Sequence, residues 1–496
     1  MKSMRFPMMV ATLAISAGGW GGTALAQCAP SNPGEGDTVT CTGLDTVGVD
    51  DGSKSVTVDV LSGATVDTTV SGDDAIKLKD LGASVNNAGT IAGGDEAIVG
   101  GNGLSVDNAG DITAGDHAIV GETEGDDYPS EDVTITNRPG ASIAAGGDGV
   151  KAGDRLTLIN YGTMTAGDDL VQAEEADGSG ADDVEIQNHG TMVADDKGIT
   201  VDDGTGFRLV NTGRIESKGN EAVEAGSDAE VFNDSGAEIL GFDDAVQLGE
   251  NGYILNEGTI ENTQTLQDLI DDPDLEAQDA IDIDSGTIVN TASGIIRSTV
   301  NAAIDYDSSG VEVSRIVNGG LISGTIAVET DPSNTKSQQI ENRGSMVGTS
   351  GLALNLGGGD DAYTQFAGGS LLGGADFGEG MDIMTLDGLF TGTIGGNGAL
   401  FDGGTGTDTF SLTSYALAQI TGSYSAGIFD LGVDDGLGGS FSILLTGWEQ
   451  FRFSGASYTE EDLMAALGQP APVPLPASAL LLAGALAGLG GLRRRS

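Results

Sequence analysis

Residues 84–100 read SVNNAGTIAGGDEAIVG, and residues 105–121 read SVDNAGDITAGDHAIVG. Each holds an alternating apolar run, an Asn, a Gly turn, a second apolar position, an acidic turn and an Ala-Ile pair. The Asn, here Asn87 and Asn108, returns at Asn137, Asn160, Asn188, Asn211, Asn233, Asn256, Asn290, Asn318 and Asn342. A recurrence of about 22 residues with occasional insertions marks a solenoid, whose units must stack because one alone cannot bury its apolar face. Within a unit the apolar positions alternate with period two and are rich in Val, Ile and Thr, which is strand patterning. The 82 glycines among 496 residues exclude a helical repeat. Three short strands and three turns need roughly 20–24 residues, so the expected fold is all-β, a parallel β-helix. About 13 rungs at ~4.8 Å would make a rod some 60 Å long.

The Asn has two physical readings. Side-chain amides donate and accept, so Asn at one position per rung can bond its equivalents above and below. It can equally supply a left-handed turn. Both lead to the same fold.

The NxGxIxxxxxAI pattern from Asn87 to Leu356 resembles the right-handed β-helix repeats of autotransporter passenger and related bacterial surface proteins. The resemblance implies the right-handed sense. It does not imply one activity, because that fold carries adhesins, carbohydrate lyases and inert stalks. The chain shows no series of ten-residue alternating strands that would form an outer-membrane barrel, so self-translocation is not expected.

The organisation outward from the repeats is as follows. Residues 1–26 read as an export signal, with Lys2 and Arg5, an apolar stretch and Ala24-Leu25-Ala26 as cleavage site. Residues 27–54 form an expected N-terminal cap, in which Cys28 and Cys41, the only cysteines, are expected to pair in an oxidising compartment. Residues 55–356 hold the rungs. Insertions at 121–131, 174–183 and 331–337 follow the Ala-Ile segment and are expected to leave from one corner. The insertion 263–277 (TQTLQDLIDDPDLEA) leaves elsewhere and suits a helical turn. Residues 357–440 change to GGGDDAYTQ, FGEGMDIMTLDG and FDGGTGTDTFSL, read as divergent rungs with Gly-Asp turns. Gly403, Gly404, Gly406, Asp408 and Phe410 match one copy of the calcium nonapeptide, which needs tandem copies to hold an ion. Residues 441–468, with Trp448, Phe451 and Phe453, read as a C-terminal cap.

Residues 469–496 are a Pro-rich linker, about 15 apolar residues, short of the roughly 20 of a stable span, and an Arg cluster. Val473, Pro474, Leu475, Pro476 and Ala477, the apolar segment and Arg493, Arg494 and Arg495 resemble the VPLPA variant of PEP-CTERM sorting signals. That resemblance implies export machinery and an exosortase-type processing enzyme as partners. It also implies transient inner-membrane anchoring, then display on the surface, outer membrane or extracellular matrix of a Gram-negative bacterium. A plain membrane anchor is the other reading.

Lys and Arg number 20 against 76 Asp and Glu, a formal net charge of −56. Nucleic acid is excluded as a partner, since phosphate contacts need a basic face. The acids recur at one turn: Asp73 and Asp74, Asp95 and Glu96, Asp116, Asp148, Asp168 and Asp169, Asp195 and Asp196, Glu221, Asp243 and Asp244, and Asp279. Stacked about 5 Å apart, neighbouring carboxylates repel by roughly 0.8 kcal/mol even in water. Calcium, the one candidate cofactor, would offset this along the edge, with Asp408 a further candidate ligand through the nonapeptide. A solvated acidic face screened by salt is the competing reading. His117 takes an acid's place in its rung and is expected to be exposed.

The expected function is a surface or matrix structural protein or adhesin, with polysaccharide or other cell surfaces as partners. The alternative is a polysaccharide lyase or hydrolase on the same scaffold. No enzyme is expected: the carboxylate pairs echo the repeat, Lys151, Arg155, Lys197, Arg208 and Arg214 do not gather at one rung, and two histidines give no nucleophile–His constellation.

Overall fold

A computed structural model describes residues 27–122, 129–175, 178–307, 313–388, 393–396, 399–434 and 439–468. The unit at 84–100 becomes three strands, Ser84–Asn87, Thr90–Gly93 and Ile98–Gly100. Each lies parallel to its equivalent in the next rung: Val85 opposite Val106, Ile91 opposite Ile112, Ile98 opposite Ile119. The result is a parallel β-solenoid of about 15 turns, with rungs about 24 residues apart and three faces. The turns outnumber the 13 expected because both flanking stretches add rungs. Thr38–Cys41 already pairs in parallel with Thr57–Val60, inside the stretch read as a cap. Ala362–Phe366, Ile383–Asp387 and Thr409–Leu412 continue the same face at the other end.

Strand alternation sends every second side chain inward, where it stacks on its equivalents. The first-face column runs Val85, Val106, Ile135, Leu158, Ile186, Leu209, Val231, Ile254, Ile288, Ile316 and Ile340, then Tyr363, Met384, Phe410 and Phe451. Ile112, Met164 and Ile215 share the second-face column. All of these are buried.

The Asn stands at the corner between the first and second faces and forms the amide ladder; it does not supply the left-handed turn. Asn87 Oδ1 accepts from Gly89 N–H at 3.0 Å, while Nδ2 donates to Asn108 Oδ1 at 2.8 Å and to Asp111 O at 3.1 Å. Its turn role is made by the side chain, since none of the ladder Asn residues has positive φ. The amide column continues at 2.8–2.9 Å through every Asn to Asn342, and Asn342 Nδ2 donates to Gln365 Oε1 at 2.9 Å. The corner stacks so closely that a Cβ on Gly110 would lie 2.0 Å from Gly89 O, so only glycine fits there.

Both open ends are covered, as exposed strand edges require. Cys28–Ala29 turns back antiparallel on Thr40–Cys41, and Cys28 and Cys41 form a disulfide. At the far end Ile420–Ser425, Ile428–Asp434 and Ser440–Thr446 make an antiparallel meander. Trp448 is buried against Phe377 and Phe410 and donates Nε1–H to Phe401 O at 3.0 Å. The helix Glu460–Ala466 follows, capped by Thr459. The insertions after Gly121, Ala173 and Thr330 leave from one corner, after the third face. The insertion at 263–277 leaves after the second face and carries the short helix Leu266–Asp271.

Candidate functional site

The corner between the second and third faces carries the repeated acid. Stacking sets Asp74, Glu96, His117, Asp148, Asp169, Lys197, Glu221, Asp244 and Asp279 one above another, linked by backbone bonds such as Ala75 N–H to Glu96 O at 3.1 Å and Ala118 N–H to Asp148 O at 3.0 Å. The side chains join this bonding. Asp148 Oδ1 accepts Asp169 N–H at 3.1 Å, Asp169 Oδ1 accepts Lys197 N–H at 3.1 Å, and Asp244 Oδ1 accepts Asp279 N–H at 2.8 Å. His117 is half-buried rather than exposed, because Nδ1 accepts Asp148 N–H at 3.0 Å.

Two groups of three carboxylates bring oxygens within 4.8 Å of one another: Asp74, Asp95 and Glu96, and Asp148, Asp168 and Asp169. Cations already stand beside both. Lys77 bonds Asp74 at 2.6 Å, and Lys151 approaches Asp148 at 3.1 Å. Lys197 reaches Glu221 at 3.3 Å and also bonds Glu224, and Lys218 bonds Asp195 at 2.7 Å. Asp196 accepts from Asn220 Nδ2 at 2.5 Å. The exposed Asp73 contributes its backbone carbonyl, which accepts from Thr68 Oγ1 at 2.6 Å.

Protons take part as well. Burial, then the hydrogen bond and charge of Asp74, push Glu96 up to about 8. Burial works against ionising Asp74, but hydrogen bonds to Glu96 and Lys77 hold it below its ordinary value, so the two carboxyls share a proton. Further along, burial first and acidic neighbours second lift Asp169 and Asp243 to about 6, Asp244 to about 8 and Asp279 to about 9. Asp282 rises to about 7 and Asp305 to about 6 for the same reasons. On the third face Asp202, Asp203, Glu224, Asp282, Asp284 and Asp307 line a shallow depression of about 370 Å³.

Asp408 does not belong to this edge. It stands at the start of the first face, in a second carboxylate ladder. Gln338 N–H donates to Asp361 Oδ1 at 2.7 Å, Asp361 N–H to Asp382 Oδ1 at 2.7 Å, Asp382 N–H to Asp408 Oδ1 at 2.8 Å and Asp408 N–H to Glu449 Oε2 at 2.8 Å. Burial first, then neighbouring acids, raises Asp361 to about 8, Asp382 to about 7 and Asp408 to about 6. Glycines stack beside them. A Cβ on Gly378 would lie 1.6 Å from Gly357 O, on Gly404 1.8 Å from Gly378 O, on Gly380 1.7 Å from Gly359 O and on Gly406 1.5 Å from Gly380 O. The turns Gly357-x-Gly359-x-Asp361, Gly378-x-Gly380-x-Asp382 and Gly404-x-Gly406-x-Asp408 are therefore three copies of one motif in register. The sequence shows all three as rungs with Gly-Asp turns but matches the calcium motif only at the last, because Gly403 completes the nonapeptide there alone. The bare G-x-G-x-D spacing was the signal that could have revealed the others.

The export signal and the sorting motif, including Val473–Ala477 and Arg493–Arg495, lie outside the described residues. Among the described residues no helix is long and apolar enough to cross a membrane. No family model, curated protein or solved structure matches the chain.

Proposed function

We propose that this chain is an exported structural rod of the cell surface or extracellular matrix, with adhesion to polysaccharide or other cells as its interaction mode. Its tail is proposed to pass through exosortase-type processing. The observation that carries this reading is the continuous amide column from Asn87 to Gln365, closed by caps at both ends. Such a body resists unravelling and edge pairing, which suits a protein exposed outside the cell. A net charge of −56 keeps such rods soluble and apart. Insertions leaving from one corner supply the surface on which recognition would sit.

Mass spectrometry of the mature C-terminus combined with cell fractionation tests the reading. A chain ending upstream of residue 478 in the surface or extracellular fraction is expected. A chain retaining Arg493–Arg495 in the inner membrane or the cytosol would overturn it.

A further inference from the structure

The glycine–aspartate stack leaves chemistry unfinished. In each of Asp361, Asp382 and Asp408 one oxygen, Oδ1, accepts a backbone N–H. The other, Oδ2, is buried without a hydrogen-bond partner. The three residues are at most 1% exposed, so bulk water does not satisfy that oxygen. The charges acting on them are acidic: Asp360 on Asp361 and Asp382, and Glu449 and Asp402 on Asp408. Leaving a buried carboxylate oxygen unpaired beside like charges is costly, and the cost repeats at every rung.

We propose that the stacked turns 357–361, 378–382 and 404–408 bind calcium between successive rungs, with Oδ2 of Asp361, Asp382 and Asp408 as carboxylate ligands and glycine-turn carbonyls as neutral ones. The donor set selects the ion. It is all oxygen and mixes carboxylate with carbonyl, which suits a hard cation with an adaptable shell of six to eight ligands. Magnesium demands a strict octahedron and retains water, and zinc prefers the His and Cys that residues 357–412 lack. Close stacking is part of the site: the glycine carbonyls approach the next rung to where any side chain would collide. The acidic edge at Asp74–Asp279 differs in part: Lys77, Lys151 and Lys197 stand against Asp74, Asp148 and Glu221, while Asp243 and Asp279 each also leave a buried oxygen without a partner but lack the stacked glycine turns.

The test uses the purified full chain at fixed ionic strength, with sodium in large excess to suppress loose counter-ion binding. Calorimetric titration, thermal melting and hydrogen exchange are run in calcium and in chelator. Calcium is expected to bind, to raise the melting temperature and to protect amides chiefly within residues 357–412. Asp382→Asn lies between both inter-rung gaps and is expected to weaken binding roughly 10-fold or more. A double variant at the other edge, Asp168→Asn with Asp169→Asn, is expected to bind as the parent does. If Asp382→Asn fails to fold, Asp361→Asn and Asp408→Asn each border fewer gaps and are expected to lower the number of bound ions. The proposal is overturned if the folded parent binds no calcium, if protection gathers around 148–169, or if the stack variants bind like the parent. None of these readouts depends on where the cell places the chain.

Discussion

Two ladders meet in the rung at residues 338–365, at opposite ends of the same face. One is the amide column ending at Asn342 and Gln365; the other is the carboxylate column beginning at Gln338 and Asp361. Both repeat one side chain per rung in identical register. The amide carries a donor and an acceptor, so each Asn satisfies its neighbour, and where a glycine stands two residues on, as at Asn87 and Asn211, also that glycine's N–H; the column is neutral. The carboxylate carries acceptors alone. It can take a backbone N–H through one oxygen, but its second oxygen finds only more acid. Periodicity alone therefore does not stabilise a rod. The chemistry repeated must be self-complementary, or a proton or cation must complete it.

The largest effect is expected where the complete ladder is cut. Asn211→Ala removes the acceptor for Asn188 Nδ2 and for Gly213 N–H, and the donor to Asn233. A loss of about 2–4 kcal/mol in guanidinium unfolding is expected, because buried partners are left unpaired. Next is Gly404→Ala in the second ladder. Gly404 has φ +82° and its added Cβ would lie 1.8 Å from Gly378 O, so melting should show a loss of about 1–3 kcal/mol in chelator as well as in calcium.

Proton linkage separates the ladders further, since the amides do not titrate. An acid held protonated in the fold binds a proton that the unfolded chain releases above its ordinary value of 3.8. Its stabilisation is full below that pH and is lost as pH climbs through the folded value, about 8 for Asp244 and about 9 for Asp279. Stability in chelator should therefore fall from pH 5 to pH 9, by up to about 1.4 kcal/mol per pH unit for each fully shifted group. Asp279→Asn should flatten that slope in melting curves across the same range. The smallest effect sharpens the comparison most. Asp382→Asn converts one carboxylate into the self-complementary side chain while keeping an acceptor for Asp361 N–H. At pH 8 in chelator it should equal or exceed the parent in stability, by under about 1 kcal/mol, and calcium should reverse the order.

Much of this rod was legible in the sequence. The Asn spacing, the period-two Val and Ile pattern and the acidic turn each repeat locally, and a local repeat is visible without three dimensions. Asn87 and Asn108 show this most plainly, because nearly the same residues, SVNNAGTI and SVDNAGDI, surround them. The second ladder was hidden because its copies are written GGGDD, GEGMD and GTGTD and are separated by unequal insertions. His117 misled for a similar reason: its exposure depended on the Asp148 N–H of the rung above, not on its own neighbours.

The sequence by itself determined the period, the strand character and the positions of the amide column and of the acidic turn, because strand alternation and turn chemistry act over a few residues. Only the tertiary structure decided which side chains stand on one another. That matters because a hydrogen bond, a shared proton or a bridging ion forms across the gap between rungs. Residues such as Asp361, Asp382 and Asp408 become one site solely by stacking.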